Sequence, residues 1–113
     1  MKLYKNYIDG KWLESDSKDI IQVDDPATGK IIGEISCAKK NEVDLAVSAA
    51  KAAFNSRVLV DMPLLERAKL MHNIADETRK IANEGGKILC YENGKLLSAG
   101  IKEFNDVADM FDY

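Results

Sequence analysis

The chain has few of the residues that build metal sites and disulfide frameworks. Its 113 residues include two cysteines and one histidine. Cys37 and Cys90 show neither a CxxC pair nor zinc-type spacing, and His72 alone cannot complete a zinc site. No apolar run approaches the roughly 20 residues that cross a bilayer, and the basic first residues lack the apolar segment of a secretory signal. These shortages predict a cytoplasmic protein with reduced thiols.

Phosphate-binding loops and a strong net charge are also missing. There is no GxGxxG motif, and Gly85-Gly86-Lys87 lacks the first glycine and the following hydroxyl of a P-loop. Dinucleotide binding therefore has no local support. The formal net charge is −3 and the pI is near 5.2. This mildly acidic balance argues against nucleic acid or an anionic membrane as a partner.

The residues that are present predict an α/β chain, with strands in residues 1–38 and helices in residues 41–113. These residues, 1–113, are predicted to form a single partial domain. Asp9-Gly10 separates two short apolar segments and predicts a β-hairpin, because both positions tolerate positive φ. Pro26 and Gly29 predict a tight reversal over residues 25–30, between strands at 20–23 and 31–35. The simplest arrangement of these strands is a set of hairpins or a β-meander.

Apolar spacing of helical period predicts three to four helices in the second part. The first covers 41–55 with Asn41 as its N-cap and Glu42 as an acidic residue in its first turn. The second covers 63–83 with Pro63 in its first turn. Gly85-Gly86 predicts a break, since each glycine costs about 1 kcal/mol inside a helix. A short helix at 87–92, closed by Asn93-Gly94 as a C-cap, and a last helix from Ser98 follow. Their apolar stripes need a covering partner, which predicts self-association when none is present.

No residue forms a convincing catalytic group. Cys37 lies near two lysines, which could lower the pKa of a nucleophilic thiol. Burial as a small hydrophobic residue is the favoured interpretation for both Cys37 and Cys90. His72 lies off the apolar stripe of its helix and is predicted to be on the surface. The sequence therefore predicts no catalytic and no cofactor-binding residue.

Adjacent carboxylates at Asp24-Asp25 precede the proline of the predicted turn. Acids in this position commonly accept hydrogen bonds from the turn backbone, and this interpretation is favoured over a role as a ligand.

Five segments in this order and spacing resemble the opening of an aldehyde dehydrogenase. The resemblance covers the chain from Tyr7 to Tyr113. Asp25 and Lys30 replace the asparagine and glutamate usual in the family, and Leu96 replaces a proline. The segments are YIDGKW at 7–12, DPATGK at 25–30, EVDLAVSAAKAAF at 42–54, ERAKL at 66–70 and ENGKL at 92–96.

The resemblance implies NAD- or NADP-dependent oxidation of an aldehyde to a carboxylic acid by the parent enzyme. Family members use a cysteine thiolate and a glutamate that lie far beyond position 113. The chain would then be an N-terminal segment, the outer part of the cofactor-binding domain, inactive alone and binding no cofactor. Its partners would be the rest of the parent enzyme or a second copy. The resemblance also implies an alkali-metal site, with Val23, Asp24 and Glu92 at the matching positions.

Two alternatives stay open at this point. The chain could be a stand-alone, non-catalytic interaction module derived from the same fold. A thiol redox protein that uses Cys37 is the more remote alternative.

Overall fold

The computed structural model describes residues 2–113 as short strands followed by long helices. Within these residues there are five strands and three helices, which confirms the predicted α/β class and the order of its parts. The strands are β1 (Leu3–Tyr4), β2 (Asn6–Ile8), β3 (Lys11–Leu13), β4 (Ile20–Asp24) and β5 (Ile31–Ser36). The helices are α1 (Lys40–Asn55), α2 (Leu64–Asn93) and α3 (Leu97–Asp112).

The strands form two small sheets. Strands β2 and β3 pair antiparallel with Tyr7 opposite Trp12, whose ring centroids are 5.0 Å apart. Asp9 and Gly10 have φ values of 50° and 75°, so the predicted hairpin turn is confirmed. The second sheet has the order β1-β5-β4. β4 and β5 are antiparallel as predicted, whereas β1 pairs with β5 in parallel and is not part of a simple meander.

The chain divides into two compact units. The first, here the strand unit, contains the described residues up to Asp24 together with Ile31–Asp61. It holds all five strands and α1, which packs on β2. The second, here the helix-pair unit, contains Asp25–Lys30 and Met62–Tyr113. It holds the proline turn, α2 and α3.

Helix α2 runs through Gly85-Gly86 without a break, so the prediction of two separate helices there is wrong. Both glycines are buried against α3. A Cβ on Gly86 would lie 2.6 Å from Ile101 Cγ1 and 2.7 Å from the backbone nitrogen of Ile101, and a Cβ on Gly100 would lie 2.7 Å from the Gly86 oxygen. The glycines therefore let two helix backbones approach closely, and packing across this contact outweighs their poor helix propensity.

The helix starts differ from the predicted starts by one or two residues. Helix α1 begins after Lys39, so Asn41 is not its N-cap. Pro63 precedes the first residue of α2, and Leu96 rather than Ser98 precedes α3. Gly94 ends α2, which confirms the predicted C-cap, and its φ of 68° is the left-handed conformation common for glycine at a helix end.

Candidate functional site

The most highly connected polar group of the strand unit is the carboxylate of Glu42, which is 6% exposed. Its Oε1 accepts hydrogen bonds from the Ser15 hydroxyl and the Asp16 backbone N–H, both at 3.0 Å. Its Oε2 accepts from the Lys39 backbone N–H at 2.9 Å. The carboxylate therefore ties the loop after β3 to the start of α1.

The environment of Glu42 stabilises its ionised form. Hydrogen bonds from the backbone N–H of Asp16, then of Lys39 and of Glu42 itself, lower the pKa of Glu42 from 4.5 to about 2. A carboxylate with so low a pKa is a poor general base near neutral pH, because a catalytic base works best with a pKa near the working pH. The geometry therefore assigns Glu42 a structural role.

Two buried serines extend this hydrogen-bonded group. Ser15 and Ser36 are 2% and 4% exposed. The Ser15 backbone N–H donates to Ser36 Oγ at 2.7 Å, which links the loop after β3 to the end of β5. Ser15, Ser36 and Glu42 are called the Glu42 network below.

The sequence alone does not reveal this network. It predicts Glu42 only as an acidic residue in the first turn of a helix. The available signal was its position three residues after the true N-cap, Lys39. A glutamate at that position often reaches back to the N-cap backbone N–H, as Glu42 does here. With Asn41 as the N-cap, Glu42 would be the first residue after the cap and could not be recognised in this role.

The proline turn in the helix-pair unit is organised by Asp25. The Ala27 backbone N–H donates to Asp25 Oδ1 and the Thr28 hydroxyl donates to Oδ2, both at 2.8 Å. The Asp25 backbone oxygen accepts from the Gly29 N–H at 2.7 Å. The predicted turn-capping role is therefore confirmed for Asp25.

Two of the sequence segments meet in the helix-pair unit. A Cβ on Gly94, just after α2, would lie 3.5 Å from Pro26 Cγ in the turn. The DPATGK and ENGKL segments therefore lie side by side, although about 60 residues separate them in the chain.

The three residues matched to an alkali-metal site lie on two elements. Val23 and Asp24 are the last residues of β4, and Glu92 is in the last turn of α2. Asp24 and Glu92 are exposed, and Val23 is half-buried. Across residues 2–113, no group of three or more histidine, cysteine, aspartate or glutamate side chains is placed to hold a metal ion. A site built from backbone oxygens at these positions stays a prediction.

The two cysteines are free thiols and both are half-buried. The predicted burial is therefore only partial. Cys37 follows the end of β5, and its Sγ lies 3.9 Å from the Ala38 carbonyl oxygen. Cys90 lies near the end of α2. Neither thiol is shown with a hydrogen bond to a histidine or a carboxylate, the partners that would activate a nucleophile.

His72 lies on the surface of α2, as predicted. Its Nδ1 is 2.6 Å from Asp112 Oδ1 on α3, a partner that the sequence did not reveal. Arg79 contacts the same aspartate, with Nη2 2.5 Å from Asp112 Oδ2. The group is a helix-to-helix ion pair and carries no serine or cysteine nucleophile.

A shallow groove crosses the surface of α2. It contains one carboxylate, that of Glu77, and no thiol or histidine. Its lining residues are Asn73, Ile74, Glu77, Thr78 and Ile81. The Thr78 hydroxyl donates to the Ile74 carbonyl oxygen at 2.7 Å, so it is already used within the helix. The groove offers no set of converging groups for covalent chemistry.

The helices carry no candidate for a membrane span: over residues 2–113, none combines the length and apolar character that crossing a bilayer requires.

Comparison of the sequence with known proteins identifies one family. The model of the aldehyde dehydrogenase family matches residues 12–113. Malonate-semialdehyde dehydrogenase from Bacillus cereus (strain B4264) is 38% identical over 98 residues, covering 87% of this chain and 20% of that protein. The chain thus spans about a fifth of the length of the curated relatives it matches.

Solved structures match the fold over nearly all of the chain. The NAD-dependent aldehyde dehydrogenase from Sinorhizobium meliloti superimposes with a TM-score of 0.90 at 30% identity, covering 100% of this chain and 23% of that one. The NADP-dependent glyceraldehyde-3-phosphate dehydrogenase from Bacillus halodurans, solved with NADP, gives a TM-score of 0.87 at 26% identity. The match covers 99% of this chain and 23% of that one.

Proposed function

Because this chain belongs to the aldehyde dehydrogenase family, we propose that it is a structural segment of an NAD- or NADP-dependent enzyme that oxidises an aldehyde to a carboxylic acid. In this proposal the segment forms an outer part of the cofactor-binding domain. It contributes rigid scaffold, and the reacting thiolate, the general base and the cofactor-binding groups are supplied by other residues of the parent enzyme.

The observation that carries the proposal is the family match over residues 12–113, together with the TM-score of 0.90 to a NAD-dependent member. The side chains support it. The best-connected carboxylate, Glu42, is fully used in hydrogen bonds to the chain itself. The thiols of Cys37 and Cys90 are shown without a histidine or carboxylate hydrogen-bond partner. The cytoplasmic location predicted from the sequence stays a prediction.

A chimera tests the scaffold role directly. The 98 residues of the Bacillus cereus malonate-semialdehyde dehydrogenase that match this chain would be replaced by the residues found here. We expect the chimera to oxidise malonate semialdehyde with a kcat within about tenfold of the parent, about 1.4 kcal/mol in the barrier. The unmodified relative and its catalytic-cysteine variant are the upper and lower controls. A folded chimera with no activity above the cysteine variant would contradict the proposal.

A second part of the proposal concerns association. Several large apolar side chains of the strand unit are half or more exposed, and they lie on or just after α1. They are Val43, Leu45, Val47, Phe54, Val58 and Val60. Uncovered apolar surface of this kind drives association, so we propose that it is covered by the remainder of the parent enzyme or, in the isolated chain, by a second copy.

Light scattering tests the association. We expect the isolated chain to increase in mean mass with concentration, and Phe54→Ser, which changes an 81% exposed side chain, to reduce that increase. Tyr113→Ser, at a fully exposed aromatic residue, is the matched control. A monomer at every concentration would contradict this part and leave the enzymatic proposal intact.

A further inference from the structure

Charged side chains on α2 reach across to the final turn of α3. Arg79 Nη2 lies 2.7 Å from Asp109 Oδ1 and 2.5 Å from Asp112 Oδ2. His72 Nδ1 lies 2.6 Å from the other oxygen of Asp112. Two residues of α2, almost two helical turns apart, therefore contact one carboxylate of α3, and that carboxylate is only 33% exposed.

The cluster contains more carboxylates than permanent cations. Arg79 also faces Asp76, one turn earlier on α2, at 3.7 Å. The one guanidinium of Arg79 is therefore paired with three carboxylates. On α2, the charged residues one turn before and one turn after His72 are Lys69 and Asp76. On α3, the charged residues of the cluster are Asp109 and Asp112. The hydrogen bond from His72 and then that from Arg79 lower the pKa of Asp112, so its carboxylate is ionised near neutral pH.

We propose that His72 and Arg79 form a pH-dependent latch that holds the final turn of α3 against α2. Arg79 is its permanent arm. His72 is its switchable arm, because histidine is the side chain whose charge changes between about pH 5 and pH 8. When the imidazole is protonated, the cluster gains a second cation and Asp112 is held from two sides.

The latch has a structural consequence at higher pH. With His72 neutral, Arg79 alone balances the three carboxylates, and the last turn of α3 opens more often. Opening uncovers Ala108, which is fully buried, and more of Phe111, which is 39% exposed. The switch is independent of the enzymatic proposal, since it needs only the α2–α3 contact.

Hydrogen exchange measured by mass spectrometry on the full chain tests the latch. Protection of a fragment covering residues 106–113 would be compared at about pH 5.5 and about pH 8, on either side of the histidine range. Rates would be normalised for intrinsic chemical exchange. We expect protection to be about two- to fivefold higher at the lower pH, the size of a partly exposed ion pair.

Three variants separate the arms of the latch. His72→Gln keeps a neutral side chain at both pH values and should remove the pH response, leaving protection at the high-pH level. Arg79→Gln should lower protection at both pH values and keep the response. Asn73→Gln, at the adjacent exposed position, is the matched control and should behave as the unaltered chain. Equal protection of the unaltered chain at both pH values, or an unchanged response in His72→Gln, would overturn the proposal.

Discussion

The strand unit and the helix-pair unit are stabilised in different ways. In the strand unit the buried positions are mainly polar: Ser15, Ser36 and Glu42 join a loop, a strand and a helix through directed hydrogen bonds. In the helix-pair unit the buried positions are mainly small. Ala75, Ala82 and Ala108, with the three helical glycines, let α2 and α3 lie close together.

This difference determines how each unit should respond to change. Hydrogen bonds to a carboxylate depend on pH and on the presence of particular oxygens. Close contact between the helix backbones at Gly86 and Gly100 depends on volume and is nearly independent of pH, unlike the charged cluster at the end of α3. The strand unit should therefore be sensitive to charge at one position, and the helix-pair unit to a single added methyl group.

The largest effect is expected from Gly86→Ala. The added Cβ would meet the backbone nitrogen of Ile101 at 2.7 Å, so the helices must separate. Alanine gains up to about 1 kcal/mol in helix propensity, but overpacking costs about 1–3 kcal/mol or more and outweighs it. We expect a net loss in the free energy of unfolding, measured by urea denaturation.

Gly85→Ala is the matched control for that change. Its added Cβ would meet the far end of the Phe104 ring, which can move more easily than a backbone. We expect a smaller loss than for Gly86→Ala. A gain in stability from Gly86→Ala would show that the glycine contact is not required.

The next effect is expected from Glu42→Ala in the strand unit. Without the carboxylate, the Ser15 hydroxyl and the backbone N–H groups of Asp16 and Lys39 lose their acceptor. Donors left without a partner destabilise a fold more than removal of a whole polar pair. We expect a lower thermal midpoint, with faster hydrogen exchange confined to the loop after β3 and the start of α1. Exchange that rises equally in α3 would contradict this localisation.

The pH dependence of stability should also reveal the Glu42 network. Because the folded-state pKa of Glu42 is lowered from 4.5 to about 2, its contribution is fully present above about pH 4.5. It is lost as the pH falls toward about 2, where the folded protein must also take up the proton. We expect urea midpoints to fall across this window.

Glu42→Gln is the control for that titration, since it keeps the shape of the side chain but cannot ionise. The fall in midpoint between about pH 4.5 and about pH 2 should be shallower in this variant. Identical slopes for the variant and the unaltered chain would assign the acid sensitivity to other carboxylates.

The smallest effect is expected in the proline turn. Asp25→Ala removes the acceptors of the Ala27 N–H and the Thr28 hydroxyl, and should cost about 1 kcal/mol of unfolding free energy. Asp25→Asn keeps an oxygen for the Ala27 N–H and should cost less. Both values would come from urea unfolding at neutral pH. Equal losses in the two variants would indicate that the side-chain hydrogen bonds do not stabilise the turn.

Features encoded by neighbouring residues could be predicted from the sequence. The Asp9-Gly10 hairpin, the capping role of Asp25 and the left-handed Gly94 depend on local backbone preferences. Features that depend on distant partners could not. Gly85-Gly86 has the local preferences of a helix break, yet α3 packs on it and the helix continues. The parallel pairing of β1 with β5 joins residues that lie about 30 positions apart.

The site shows the same division. The sequence places Glu42 in a first helical turn, but not its contact with Ser15, 27 residues earlier. It places His72 on a helix surface, but not its contact with Asp112, 40 residues later. The type of a side chain and its position on the helix face predict whether it is exposed. Its partners depend on how separate elements pack.

The claim that the chain provides scaffold and no reaction centre is tested most directly by an assay of the purified 113-residue chain. Formation of NADH or NADPH would be followed with malonate semialdehyde, with betaine aldehyde and with a simple aliphatic aldehyde. We expect no rate above that of a blank without protein, and the same absence of rate for Cys37→Ser and Cys90→Ser. Saturable formation of the reduced cofactor that either cysteine substitution abolishes would contradict it.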